Sequence, residues 1–284
     1  MTLRTALAQG AKLLDEAGIP APRLTAEVLL AHALRQERVY LIAHSEDELT
    51  EVAWIHFGRY LHERMQGKPT QYITKRQEFY GRDFYVAPGV LIPRPETELL
   101  VEQVLKHLRP GMRVLDIGAG SGCIAITLSL ESSLPIVSTD ISPDALKIAA
   151  RNAAALRAHV PFIQASLAAP FAPGSFDVVV SNPPYVPDAD RATLAAEVRE
   201  WEPSSALFAG PQGLDIYCRL IPEAARVLKP GGLLAMEFGF GQADAIRELL
   251  IGWSNVEIHN DLAGIPRVVL AARSVPAEDC HNEW

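Results

Sequence analysis

Cysteine is scarce: the 284 residues hold three, Cys123, Cys218 and Cys280, an odd number set far apart. Such spacing supports neither a disulfide framework nor a CxxC metal knuckle, and the thiols are expected to be buried or idle. Long apolar runs are missing as well. A membrane helix needs about 18–20 nearly uninterrupted apolar residues, whereas the best run, Cys123 to Leu130, already contains Thr127 and Ser129. Near the N-terminus Gln9, Lys12, Asp15 and Glu16 interrupt any apolar leader core, so no targeting segment and no membrane partner are expected and the chain reads as cytoplasmic. Basic residues nowhere cluster more densely than Lys75-Arg76, although a nucleic-acid surface depends on Lys and Arg replacing counterions around phosphates. The net charge is −8, with 10 Lys+Arg against 10 Asp+Glu in residues 1–80 and 16 against 24 in residues 81–284. No direct nucleic-acid partner is expected. The eight histidines are scattered and form no HExxH and no Cys/His cluster, so no metal is expected either.

What the chain does have is 49% apolar residues and ordinary amounts of Gly (19) and Pro (21), enough for one sizeable core and a second, smaller one. Up to about residue 75 the apolar spacing is helical: Leu3, Leu7, Leu13 and Leu14, then Val28, Leu29, Leu30 and Leu34, then Trp54, Ile55, Tyr60 and Leu61. Pro20 and Pro22 separate the first two stretches, and three or four short helices form a small bundle over residues 1–75. Residues 76–94 change character. Phe79-Tyr80, Phe84-Tyr85-Val86 and Val90-Leu91-Ile92, split by Gly81 and Pro88-Gly89, predict a linking β-hairpin, after which Pro93 and Pro95 lead into a helix near residues 96–108.

Residues 95–284 alternate strand and helix, with strands at Arg113–Ile117, Ile136–Thr139, Phe162–Gln164, Phe176–Val180 and Leu233–Phe238. Alternation of this kind predicts an α/β fold whose mostly parallel sheet is covered on both faces. The last two strands, Val256–His259 and Val268–Ala271, are joined by a short connection containing Gly264, which predicts an antiparallel edge. Pro230-Gly231-Gly232 reads as a helix-to-strand turn.

Asp116-Ile117-Gly118-Ala119-Gly120-Ser121-Gly122 follows the first strand of that sheet and opens an apolar helix, so the backbone from Gly118 to Gly122 can approach a ligand closely. The third glycine comes one position too early for a dinucleotide fingerprint. Twenty residues after Gly120, Asp140 ends the second strand, where a carboxylate can accept both hydroxyls of a ribose. Ser142 before Pro143 takes the helix-capping role that Asp140 would otherwise fill. A Gly-x-Gly-x-Gly loop with a spaced acid and no P-loop lysine suits a nucleoside cofactor lacking a pyrophosphate, and S-adenosyl-L-methionine is the candidate.

The strand Phe176–Val180 runs into Ser181-Asn182-Pro183-Pro184-Tyr185. Two prolines remove two backbone donors, leaving the Asn182 side-chain oxygen and the Pro183 carbonyl as acceptors beside the Tyr185 ring, a site for an NH2 group. Such nitrogens are poor nucleophiles because their lone pair is delocalised; turning an amide out of conjugation costs roughly 18–20 kcal/mol. Two acceptors that hold both N–H bonds out of the amide plane favour the tetrahedral nitrogen and stabilise its developing charge. Orientation in line with the methyl group supplies up to about 7–11 kcal/mol more. Catalytic roles are expected for Asn182, Pro183 and Tyr185, and substrate binding for Asn182 to Tyr185.

At these residues the chain resembles the PrmC/HemK family of class I S-adenosylmethionine-dependent methyltransferases. The resemblance covers nearly the whole chain. It extends to Pro69-Thr70-Gln71-Tyr72-Ile73, to Glu78-Phe79-Tyr80-Gly81 and to the run PGVLIPRPETE from Pro88 to Glu98. Trp201-Glu202-Pro203, Ala206-Leu207, Gly213-Leu214-Asp215, Gly231-Gly232, Glu237, Asp261 to Gly264 and Arg267-Val268 fit as well. The resemblance implies a Rossmann-like domain and N5-methylation of the glutamine in the GGQ motif of class 1 peptide-chain release factors, the N-terminal bundle recognising that partner, by an enzyme expected to be monomeric. By position, Gly118, Ala119, Gly120, Ser121 and Gly122 line the methionine and ribose part of the cofactor, Asp140 the ribose hydroxyls, and Asn182 both cofactor and substrate. Ser166-Leu167 depart from the family pattern of an acid followed by an aromatic or apolar residue near the adenine, and Lys75 stands where glycine is common. Arg94 and Glu96 either touch a ligand or form an ion pair that fixes the link. Two rival functions stand beside this one: a nucleic-acid amino-methyltransferase acting on adenine N6 or guanine N2, and a binding protein that keeps the fold without the chemistry.

Overall fold

The computed structural model describes residues 1–275, so Cys280 lies outside the described residues. In chain order α1 (Leu3–Glu16), α2 (Pro22–Leu34), α3 (Arg38–Ala43), α4 (Glu51–Met65) and α5 (Thr70–Thr74) come first, followed by β1 (Arg76–Phe79) and β2 (Arg82–Tyr85). Next come α6 (Glu96–His107), β3 (Val114–Ile117), α7 (Cys123–Ser132), β4 (Ile136–Asp140), α8 (Pro143–Leu156), β5 (Phe162–Gln164) and β6 (Phe176–Ser181). The order closes with α9 (Ala196–Trp201), α10 (Asp215–Val227), β7 (Leu228–Glu237), α11 (Ala243–Leu249), β8 (Ser254–Asn260) and β9 (Pro266–Ala272). Two compact units result, one of residues 1–76 with 194–201, the other of residues 77–193 with the described residues from 202 onward. Among the described residues no helix is long and apolar enough to cross a membrane.

The smaller unit is helical because its apolar residues recur at one face. In α1, capped by the Thr2 side chain accepting from Thr5 N, the buried residues are Leu3, Ala6, Leu7, Gly10 and Leu14. Leu13 and Ile55, counted with the apolar spacing, point outward instead. Gly10 lets α1 approach α4: a Cβ there would stand 2.5 Å from Phe57 Cζ. Gly10→Ala is therefore expected to destabilise this unit, because overpacking costs about 1–3 kcal/mol against a helix-propensity gain of at most about 1 kcal/mol. A lowered thermal midpoint checks it. Arg64 on α4, almost fully buried, pairs with Glu197 and so ties residues 194–201 into this unit. Lys75 closes α5 in the left-handed region (φ +58), which explains why glycine suits that position.

In the larger unit the turn between β1 and β2 is the two residues Tyr80 (φ +53) and Gly81 (φ +70), the mirror-type turn that matches strand twist. The expected third apolar stretch, Val90 to Ile92, is not a strand. Seven further strands form one sheet in the order β5-β4-β3-β6-β7-β9-β8. Neighbours from β5 to β7 pair in parallel, and β9 runs antiparallel to both β7 and β8. The α/β class, the parallel sheet and its antiparallel edge thus follow the sequence pattern. Val114–Ile117 and Val178–Ser181 are buried throughout, as strands covered on both faces must be. Pro230-Gly231-Gly232 lies inside β7 and is not a turn before it. Gly231 there has φ +75, and the β6–β7 register shifts between Phe176 and Val178.

Register places the site. Ile117 pairs with Thr139 and Ser181, and Ser181 with Met236, so the next residues, Gly118, Asp140, Asn182 and Glu237, form one row at the carboxyl ends of four adjacent strands. This is where the strand order reverses, the usual ligand crevice of open α/β sheets.

Candidate active site

A cavity opens along that row, with walls that include Gly118 to Ser121, Asp140, Asn182, Pro183 and Pro184. Between β3 and α7 the chain turns back tightly: Gly118, Gly120 and Gly122 all have positive φ, at 91°, 53° and 84°. Gly118 N and Ala119 N both donate to Thr139 O at 2.8 Å. A Cβ on Gly122 would meet Ile126 Cδ1 at 2.8 Å, whereas one on Gly120 would meet no atom within 4 Å. Gly122 is needed for packing and Gly120 leaves room at the cavity wall. Ser121 accepts from Asn152 Nδ2 through its carbonyl at 2.8 Å, which fixes the loop.

Asp140 is oriented by its own backbone neighbours. Its Oδ2 accepts from Gly120 N at 2.9 Å and its Oδ1 from Ser142 N at 2.8 Å, so each oxygen keeps a further lone pair for a ligand. Ser142 caps α8 by accepting from Ala145 N, as its sequence position implied. The apolar side chains of Ile117, Ile141, Leu167 and Leu220 line the same cavity. Ser166 stands there too, its hydroxyl accepting from Arg219 at 3.1 Å. A carboxylate with free lone pairs, open glycines and an apolar wall together fit S-adenosylmethionine.

Asn182, the residue just past β6, donates through Nδ2 to Thr97 Oγ1 at 3.0 Å. Its Oδ1 and the Pro183 carbonyl accept no hydrogen bond from the described residues. Tyr185 follows, with its hydroxyl donating to Glu237 Oε1 at 3.3 Å, not facing the cavity. Thr97 in the first turn of α6 donates to Glu237 Oε2 at 2.7 Å. Neither Thr97 nor Glu237 was singled out for a role by sequence. Arg94 lines the cavity and also forms an ion pair, with Glu202 at 2.5 Å and not with Glu96. The other oxygen of Glu202 accepts from Ile92 N at 3.1 Å. The buried Glu202 thereby fixes the Pro-rich segment that leads into α6.

Besides Glu202, the carboxyls of Glu237 and Asp116 are buried in this unit. Burial pushes Glu237 up to about 7, against hydrogen bonds from Thr97 and Tyr185. Burial likewise pushes Asp116 up to about 7, although Ser138 donates to its Oδ2 at 2.7 Å. Both bind protons more tightly in the folded chain, so their contribution to stability is full at low pH and is lost as pH rises through about 7. Asp116 alone should cost on the order of 1 kcal/mol between pH 6 and 8.5; unfolding measured at those two pH values should show Asp116→Asn flattening the fall. Burial also pushes the Cys123 thiol up to about 12, leaving it inert, while Cys218 is exposed.

The chain is similar to known proteins. Residues 5–74 match the family model of the PrmC N-terminal domain and residues 95–199 that of the methyltransferase small domain. A release factor glutamine methyltransferase from Koribacter versatilis is 46% identical over 96% of this chain and 99% of its own length. One from Moorella thermoacetica is 44% identical, again over 96% and 99%. Among solved structures, a methyltransferase from Pyrococcus furiosus superposes with a TM-score of 0.52 at 20% identity, covering 72% of this chain and 94% of that one, which shows a common fold. Identity of this extent over the full length of both relatives decides the family: the chain belongs to the release factor glutamine methyltransferases.

Proposed function

We propose that this chain transfers the methyl group of S-adenosylmethionine to the side-chain amide nitrogen, N5, of the GGQ glutamine of class 1 peptide-chain release factors. The observation that carries the reading is Asn182, whose Nδ2 is committed to Thr97 and which lines the cavity that also holds Asp140 and the glycine loop. S-adenosylmethionine supplies an electrophilic methyl group on a sulfonium. Asn182 Oδ1 and the Pro183 carbonyl accept the two N–H bonds of the glutamine amide and turn its lone pair out of conjugation. Both acceptors gain strength as the nitrogen becomes positive, which is the differential binding that lowers a barrier. No base is needed before attack, because the nitrogen gives up a proton readily once it is quaternised. Asp140 holds the ribose and the glycine loop the methionine portion, so that nitrogen and methyl carbon meet in line.

The reading extends to a monomer acting in the cytoplasm, with the helical unit of residues 1–76 as the surface for the protein partner and no nucleic acid involved. A net charge of −8 supports the last point. The rival amino-methyltransferase of nucleic acids would use the same acceptors. The test is methyl transfer to purified release factor, to the same factor with its GGQ glutamine replaced by alanine, and to DNA and RNA at two salt concentrations. Label in the first substrate alone is the expected outcome; label in nucleic acid, weakening steeply with salt, would overturn it.

A further inference from the structure

An asparagine can serve as acceptor for an NH2 group only if its oxygen, and not its nearly isosteric NH2, faces the substrate. We propose that Thr97 and Glu237 are positioning residues that set which end of the Asn182 amide faces the cavity. The proposal rests on the function proposed above and deepens it.

The argument is a count of hydrogens. A threonine hydroxyl has one hydrogen to donate, and Thr97 Oγ1 gives it to Glu237 Oε2 at 2.7 Å. An ionised carboxylate can only accept, so this direction is forced. Thr97 Oγ1 is then left as an acceptor, and the group 3.0 Å away on Asn182 has to be Nδ2. The oxygen follows on the cavity side. Thr97 and Glu237 are buried almost completely, so water does not compete for these bonds. Tyr185 donates to Glu237 Oε1 at 3.3 Å, and the Tyr217 hydroxyl donates to the Glu237 main-chain carbonyl at 2.8 Å. Glu237 is thereby held through its carboxylate from the loop after β6 and through its main chain from α10.

Were Glu237 to carry a proton on Oε2, it could donate to Thr97, whose own hydrogen would be released toward Asn182. The amide would then gain by turning over, and its NH2 would face the NH2 of the substrate, donor against donor. Burial brings this titration up to about 7. The groups that face Glu237 are Thr97 and Glu96 from α6, Tyr185 from the loop after β6, Tyr217 from α10 and Arg267 from β9. Arg267 favours the ionised form and Glu96 opposes it; Cys123 from α7 stays neutral. The sign follows: the orientation is correct above about 7, and activity falls as pH drops through that value.

Two readouts test this. Thr97→Val removes the hydroxyl at constant shape and should lower kcat for release factor by about 10²-fold, with S-adenosylhomocysteine affinity by calorimetry within about twofold. Thr97→Ser should restore kcat to within a few-fold and keep the acid limb of the pH profile, whereas Glu237→Gln should abolish that limb. The second readout is independent of methyl transfer: hydrogen exchange of the Asn182 side-chain NH2, its NMR signal identified by its loss in Asn182→Ala. It should be slow in the wild type at pH 8 and fast in Thr97→Val. If Thr97→Val keeps kcat, if serine fails to rescue, or if exchange is equally fast in the wild type, the proposal is overturned. Slow wild-type exchange with no methyl transfer would sink the proposed substrate and leave the positioning geometry standing.

Discussion

Asn182→Ala is expected to lower kcat/KM for methylation of a folded release factor by about 10²–10³-fold, the usual loss when one preorganised polar partner of a developing charge is removed. Cofactor affinity should change much less, because Asp140 and the loop from Gly118 to Gly122 are held by bonds that do not involve Asn182. Asn182→Asp should be no better than alanine. Its carboxylate would lack the NH2 that donates to Thr97 and would bring a second negative charge toward the buried Glu237. Steady-state kinetics together with calorimetry separate the two effects: full activity in Asn182→Ala would rule out the proposed acceptor.

The second large effect is expected at Asp140. Its two oxygens are aligned by Gly120 N and Ser142 N, and a ribose diol would add two charge-assisted hydrogen bonds, each contributing about 1.5–3 kcal/mol. Asp140→Ala should therefore raise the Kd for S-adenosylhomocysteine by at least about 10²-fold at 25 °C. Part of that loss is loop order, since Gly120 N also loses its acceptor. Asp140→Asn, which keeps one oxygen, should fall between. The large unit should remain folded in both, because the strand pairing of Ile136–Asp140 does not depend on the side chain. An unchanged Kd in Asp140→Ala would place the ribose elsewhere.

Much of this site could be read from the sequence because its parts are local. Gly118 to Gly122 and Asn182 to Tyr185 each directly follow a strand, and the parallel pairing of those strands brings their starts into one row. Asp140 was legible for the same reason. What escaped are the side chains that orient those residues. Thr97 meets Asn182 across 85 positions and Glu237 across 140, and Glu202 reaches Ile92 across 110. Nothing in the local pattern around a threonine in the first turn of a helix, or a glutamate ending an apolar strand, marks such a partner. A buried acid at the end of an otherwise apolar run, Leu233 to Met236, was the available signal, since a charge goes to the interior only when it is paired. The misread Pro230-Gly231-Gly232 has another cause. Turn chemistry and a glycine-assisted strand irregularity use the same residues, and pairing with β6 decides between them.

The central claim is that the acceptors beside this cofactor cavity serve a glutamine amide. It is tested most directly by incubating purified release factor with this protein and S-adenosylmethionine, then mapping any added mass by fragmentation of the GGQ peptide. The account predicts a single methyl group, on the side-chain nitrogen of that glutamine, absent when Asn182→Ala replaces the wild type. A methyl group on another residue, or none while cofactor binding is intact, would contradict it.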